Sequence, residues 1–194
     1  MIEVDGYTLG GQIRVVEGED GSLTMTFGAE SATGRSCGPC QACCRLLPVR
    51  DMPGGAKPAN TRCRHQRYGK GCGIYADRPP SCQVFACRWL TDPMTEGLPR
   101  PDKAHYVIDP MHDTITMRND ATGDTQQASC IQVWVHPAFP RAWDTPEFRA
   151  YALTMATRFG LPIMLRCGDE AATLLFAPPL TADGEWAEER SQLR

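Results

Sequence analysis

Between Cys37 and Cys44 the chain reads CGPCQACC, four thiols in eight positions. Cys63, Cys72, Cys82 and Cys87 follow, so eight of the ten cysteines fall within 51 residues. Two chemistries use sulfur at such spacing: a reactive dithiol of the CGPC redox type, and a thiolate nest for a metal. A thioredoxin-like CGPC follows a buried strand and opens a long helix inside a βαβ unit. Here the preceding residues, AESATGRS, are small and polar and carry no strand pattern. A dithiol also has no use for six more cysteines close by. Multidentate metal binding accounts for the whole group, whereas disulfides require an oxidising compartment.

The candidate ligands are therefore Cys37, Cys40, Cys43, Cys44, Cys63, Cys72, Cys82 and Cys87. On a helix begun at Pro39, the first four fall within an arc of roughly 120°. Cys37 and Cys40 would then sit at its positive end, which favours thiolate. Structural zinc commonly uses two separated CxxC knuckles. Only the first half of this set has that spacing, since the later gaps are nine, ten and five positions from one cysteine to the next. An overlapping CxxCxxC triplet with a remote fourth cysteine is closer to iron–sulfur ligation. An iron–sulfur cluster is thus favoured over zinc, and eight thiols suffice for one or two centres.

Cys37-x2-Cys40-x2-Cys43-Cys44, then Cys63 and CGIYADRPPSCQVFACRW, resembles the CxxCxxCC cysteine-cluster (YkgJ-type) family. The resemblance rests on the eight cysteines with Ile74, Tyr75, Arg78, Pro79 and Phe85, and covers residues 37–90. It implies zinc or iron chelation by the cysteines and a distant relationship to flagellin lysine N-methylases. It supplies no catalytic residue. LGG at 9–11 is too slight for a cofactor loop, and no strand–GxGxG–helix unit is present.

Around the cysteines, Tyr75, Phe85 and Trp89 are expected to shield the centre from water, and Arg78 to pair with sulfur charge or a carbonyl. Pro79-Pro80 ends the IYAD segment and turns the chain so that Cys82 returns to the site. His65 is a weaker ligand candidate, and His105, His112 and His136 are scattered. Cys130 and Cys167 fall on expected strands and read as core thiols.

The elements that position this set divide the chain into four parts. Residues 1–36 hold a β-hairpin over 12–27, QIRVVE and SLTMTF around the turn GEDG, then a polar linker. Residues 37–90 form the cysteine-rich module, too poor in aliphatic bulk for a core of its own, so metal is expected to hold it. Residues 91–180 form an α+β part. Two short strands are expected around DPMHD, then a strand in ASCIQVWVHP with Ile131, Val133 and Val135 on one face. A helix follows in DTPEFRAYALTMATRFGLP, capped by Thr145 or Asp144, with Pro146 in its first turn and Gly160 and Pro162 beyond its end. PIMLRC and ATLLFAP complete the sheet, and 181–194 is expected to be a polar, solvated tail. The fold class is α+β: hairpin, metal-held irregular or helical module, and a C-terminal antiparallel sheet with one packed helix.

The net charge of −3 is unevenly spread. Residues 35–88 carry ten basic and two acidic side chains, net +8, and the remainder is net −11. The eight clustered cysteines lie inside the basic stretch, and cationic neighbours favour thiolate. No Ser/His/Asp set, paired carboxylates, phosphate loop or HExxH supports hydrolysis or phosphoryl transfer, and no reading motif supports nucleic-acid binding. No apolar run approaches the ~18 residues of a membrane helix. The start of the chain has no secretory pattern, so a cytoplasmic setting with reduced thiols is expected. Three function classes fit: a metal–sulfur protein with a redox or electron-transfer role, a structural zinc module that presents a surface to a protein partner, and a methylase-like protein-modifying enzyme or subunit.

Overall fold

The computed structural model describes residues 12–17, 23–28, 33–118, 122–168 and 171–192. Strands β1 (Gln12–Glu17) and β2 (Leu23–Gly28) form the expected antiparallel hairpin, Gln12 opposite Gly28 and Glu17 opposite Leu23. The expected turn, GEDG, lies outside the described residues.

Past residue 100 the chain builds one five-stranded sheet in the order β5 to β9. Before it come α1 (Ala42–Leu46), the two-residue strands β3 (Gln66–Arg67) and β4 (Gly71–Cys72), and α2 (Pro80–Val84). They are followed by α3 (Arg88–Thr91) and α4 (Pro101–Ala104). The sheet strands are β5 (Tyr106–Arg118), β6 (Thr125–Val135), β7 (Ile163–Arg166), β8 (Ala171–Phe176) and β9 (Ala187–Gln192). Between β6 and β7 runs α5 (Pro146–Phe159). All neighbours are antiparallel except β6 and β7, whose parallel pairing follows from the α5 crossover. The fold is thus α+β with a mostly antiparallel sheet, and the single parallel pair refines the wholly antiparallel expectation.

The helix forms where its punctuation places it. The Thr145 hydroxyl accepts from the Phe148 N–H at 3.3 Å, Pro146 occupies the first turn, and Gly160 closes the end at φ 65°. Phe148, Tyr151, Ala152 and Met155 turn inward. They meet Tyr106, Ile108, Ile131, Val133, Val135, Ile163, Leu165 and Leu175 of the sheet in the main core.

Three expectations change. The segment around DPMHD is one strand, β5, because an irregularity between Ile108 and His112 absorbs Pro110. Proline cannot donate to a ladder and is tolerated at such bulges. Residues 187–192 pair with β8 as an edge strand, although the side chains of Glu188 to Arg190 are solvent-exposed as expected of a polar tail. Cys167 is exposed at the end of β7, whereas Cys130 is completely buried as a core thiol.

Alternation along the strands leaves a second apolar face opposite α5. Val107 and Trp134, offset by one from Tyr106 and Val135, pack against Leu46, Leu47, Ala86, Cys87 and Leu90. The cysteine-rich region therefore lies on the sheet face away from α5. It is not a free-standing module, since its largest apolar cluster borrows two sheet residues.

Candidate metal centre

Cys37 and Cys40 lie on a turn, not on a helix. The Cys40 N–H donates to the Cys37 carbonyl at 2.9 Å, and Gly38 takes φ 49°. Helix α1 begins only at Ala42, so Cys43 and Cys44 alone are helical and the two-turn helix expected from Pro39 is not formed. Cys63 is tied to that helix, its N–H donating to the Cys44 carbonyl at 3.0 Å. Cys82 sits within α2, which Pro79 and Pro80 begin rather than merely precede. Ser81 anchors it, donating from N–H and Oγ to the Asp51 carboxylate at 2.9 and 2.5 Å. Cys87 is buried at the N-cap of α3. Cys72 ends the β3–β4 hairpin, opposite Gln66.

Gln41 fixes that hairpin beside the helix. Its side-chain amide donates to the carbonyls of Arg67 and Gly71, and its Oε1 accepts from Gln66 Nε2 at 2.7 Å. The cysteine region as a whole is held to the sheet by a buried polar network. Arg88 donates from Nε to the Asp109 carbonyl at 3.1 Å and from a terminal nitrogen to Asp92 at 3.2 Å. The Asp109 carboxylate accepts from Trp134 Nε1 at 3.1 Å and from the Met111 N–H at 3.0 Å. At another corner, Asn60 Nδ2 donates to the Cys167 carbonyl at 2.9 Å.

Seven of the eight thiols stand close enough to act on one another electrostatically. Cys43 feels Cys44, Cys37 and Cys87, and Cys87 feels Cys37 and Cys40. Cys82 feels Cys44 and Cys63. All ten cysteines are free thiols. Among the described residues, no group of three or more Cys, His, Asp or Glu side chains is drawn closely enough together to enclose an ion. The thiols share a region without forming a coordination shell.

The basic stretch acts less broadly on the thiols than its composition suggests. The Cys43 thiol donates to Cys44, and this bond with burial raises Cys43 well above the ordinary thiol range. The same bond, with help from Lys57 and Arg78, lowers Cys44. At Cys87 burial dominates and pushes the thiol up to about 12. Lys57 was not singled out by the sequence, being one cation in the loop PGGAKPAN. It is buried, donating to the carbonyls of Pro58 and Thr61 at 3.1 and 2.9 Å, with Cys63, Cys44, Cys43 and Cys82 as electrostatic neighbours. Burial lowers its own pKa.

Of the expected shield, Phe85 and Trp89 pack against the cluster around Cys87, but Tyr75 is 65% exposed. It carries Arg78 over its ring at 3.8 Å, and Arg78 Nε donates to the Tyr75 carbonyl at 3.0 Å. Arg78 thus faces a carbonyl, one of its two expected partners, and its charge also acts to lower the Cys37 and Cys44 thiols. As donors the set suits a soft or borderline cation, because thiolates select zinc, copper(I) and iron–sulfur clusters. No described helix is long and apolar enough to cross a membrane. Comparison with protein-family models, curated proteins and solved structures finds no match to this chain.

Proposed function

We propose that residues 37–90 bind metal through cysteine thiolates, as an iron–sulfur protein with a redox or electron-transfer role. One observation carries the proposal. Thiols far apart in sequence are brought to one region, Cys43 packing with Cys87 and Cys44 and Cys82 with Cys63, while none forms a disulfide. A cluster built on the triplet Cys37, Cys40 and Cys43 needs a remote fourth sulfur, and this proposal assigns that role to Cys87, which packs beside Cys43. The resemblance to the CxxCxxCC family supports the same chemistry.

A structural zinc module is the second reading, favoured by a different observation. The helices over 37–91 are four or five residues long, and their largest apolar cluster depends on Val107 and Trp134 of the sheet. Such a region gains from a structural ion, and zinc supplies folding energy outright in small cysteine-rich modules.

Anaerobic purification separates the two. Iron with acid-labile sulfide and visible sulfur-to-iron absorption is the expected result. Colourless protein with stoichiometric zinc moves the assignment to the structural reading. Absence of both metals, before and after anaerobic reconstitution, rejects thiolate metal binding.

A further inference from the structure

We infer that a cavity at the start of α5 binds a short amino alcohol, its ammonium group on Glu147 and its hydroxyl on Tyr106. The site lies on the α5 side of the sheet and is independent of the metal-binding reading above.

The cavity has a volume of about 400 Å³, within the range of small-molecule sites. Its lining grades from wet to dry. Pro99 and Glu147 are exposed at the mouth, Ala142 and Thr145 are half-buried, and Leu98 and Tyr106 are buried at the floor. The walls are pinned from behind. The Leu98 carbonyl accepts from Trp89 Nε1 at 3.0 Å, and the Ala142 N–H donates to the Phe139 carbonyl at 3.0 Å.

Tyr106 carries the inference. It is 3% exposed, and among the described residues its hydroxyl has no hydrogen-bond partner. Burying a hydroxyl unpartnered is costly, and folded proteins rarely do so without a use for it. The ring points to the start of α5, where it meets Phe148 edge-on at 5.1 Å between centroids. Glu147, the preceding residue, is the carboxylate that acts on the phenol electrostatically. Burial first, and that carboxylate second, hold the phenol in its protonated form, which can donate or accept.

Charge selects the ligand. Glu147 is the only charged residue in the lining. The helix start does not serve as an anion site, since Pro146 has no N–H and the Thr145 hydroxyl already takes the Phe148 N–H. The cavity thus offers an anion at its mouth, apolar walls in Leu98, Pro99 and Ala142, and one polar atom at its floor. An ammonium group, a short alkyl stem and a terminal hydroxyl meet these three in order.

Nuclear magnetic resonance titration of the full chain with aminobutanol tests this, beside n-butylamine, which lacks the hydroxyl, and n-butanol, which lacks the charge. Aminobutanol is expected to bind more tightly than either. Tyr106→Phe is expected to abolish the preference over n-butylamine, about fivefold for one neutral hydrogen bond, while the preference over n-butanol remains. Glu147→Gln is expected to do the reverse. Both variants keep the fold, because one removes an unpartnered oxygen and the other an exposed charge. Urea denaturation gives a second readout, in which Tyr106→Phe is expected to be at least as stable as the unaltered chain. No binding of aminobutanol, binding without these preferences, or a less stable Tyr106→Phe variant each overturns the proposal.

Discussion

The sheet and the cysteine region lie back to back but are held together by different physics. Between α5 and the sheet, sixteen buried residues form one continuous cluster around Phe148 and Met155, both fully buried. Over residues 37–91 the apolar side chains split into two small clusters, one of them shared with the sheet, and the backbone turns every few residues. What organises that half is polar: Gln41 on the hairpin carbonyls, Asp51 on Ser81, Lys57 on Pro58 and Thr61. The neutral amide bonds of Gln41 contribute only about 1 kcal/mol each net and the Asp51 carboxylate is open to water, against ~1.5–3 kcal/mol for a fully buried large apolar side chain. The region rich in chemistry is therefore the one with the weaker hold, and metal bound there, as proposed, would have most to add.

The largest predicted effect lies on the well-cored side. Phe148 packs edge-on against Tyr106 at 5.1 Å between ring centroids and is tilted against Trp143 and Tyr151. Phe148→Ala is expected to cost about 3–5 kcal/mol, as for other large aromatic truncations in cores. Urea denaturation followed by tryptophan fluorescence measures it. A loss below ~1 kcal/mol would show that this face is not the core and would remove the contrast.

Next in size is the bolt between the regions. Arg88 and Asp92 are 4% and 8% exposed, and the Arg88 side chain also reaches the β5 backbone at Asp109. Arg88→Met keeps most of the volume but leaves Asp92 buried without its cation, which costs about 3 kcal/mol or more. Hydrogen exchange locates the loss. Faster exchange over 37–98 with β6 and α5 still protected is expected if Arg88 serves mainly to fasten the cysteine region. Equal loosening of both halves would make the molecule a single cooperative unit and the comparison one of chemistry alone.

How much was legible in the chain follows the same division. Helix α5 was readable because Thr145, Pro146 and Gly160 act locally, each on backbone within one turn. The hairpin and strands β6, β7 and β8 were readable from alternation and turn residues. The cysteine ligand candidates were visible by type, but the start of α1 was not. Gly38 at positive φ and Pro39 favour a turn there, and Gln41 spends its side chain on the β3–β4 hairpin instead of capping the helix. The Arg88–Asp109 bond joins residues 21 apart, and Asn60 to Cys167 spans 107, so no local pattern signals either. The last strand, AEERSQ, lacks apolar alternation, and its place on the β8 edge is a tertiary fact.

Per pH unit the effect is the smallest, yet it offers the sharpest comparison, because it uses one buried thiol from each region. Burial pushes both Cys130, in the sheet, and Cys87, in the cysteine region, up to about 12 from the ordinary 9.0. The folded state of the metal-free protein therefore holds these two protons more tightly than the unfolded chain does. Their contribution is complete below pH 9.0 and is lost as pH rises from there towards about 12. Stability is expected to fall by up to about 1.4 kcal/mol per pH unit for each thiol in that window. Urea denaturation across the window, for the unaltered chain and for Cys130→Ala and Cys87→Ala, separates the two shares as changes in slope. If the regions unfold together, both shares appear in one transition. If the cysteine region opens first, the Cys87 share moves to an earlier transition and only the Cys130 share remains with the sheet. A slope unchanged by either substitution would show that neither thiol loses its proton more readily on unfolding, and burial would no longer explain their shared shift.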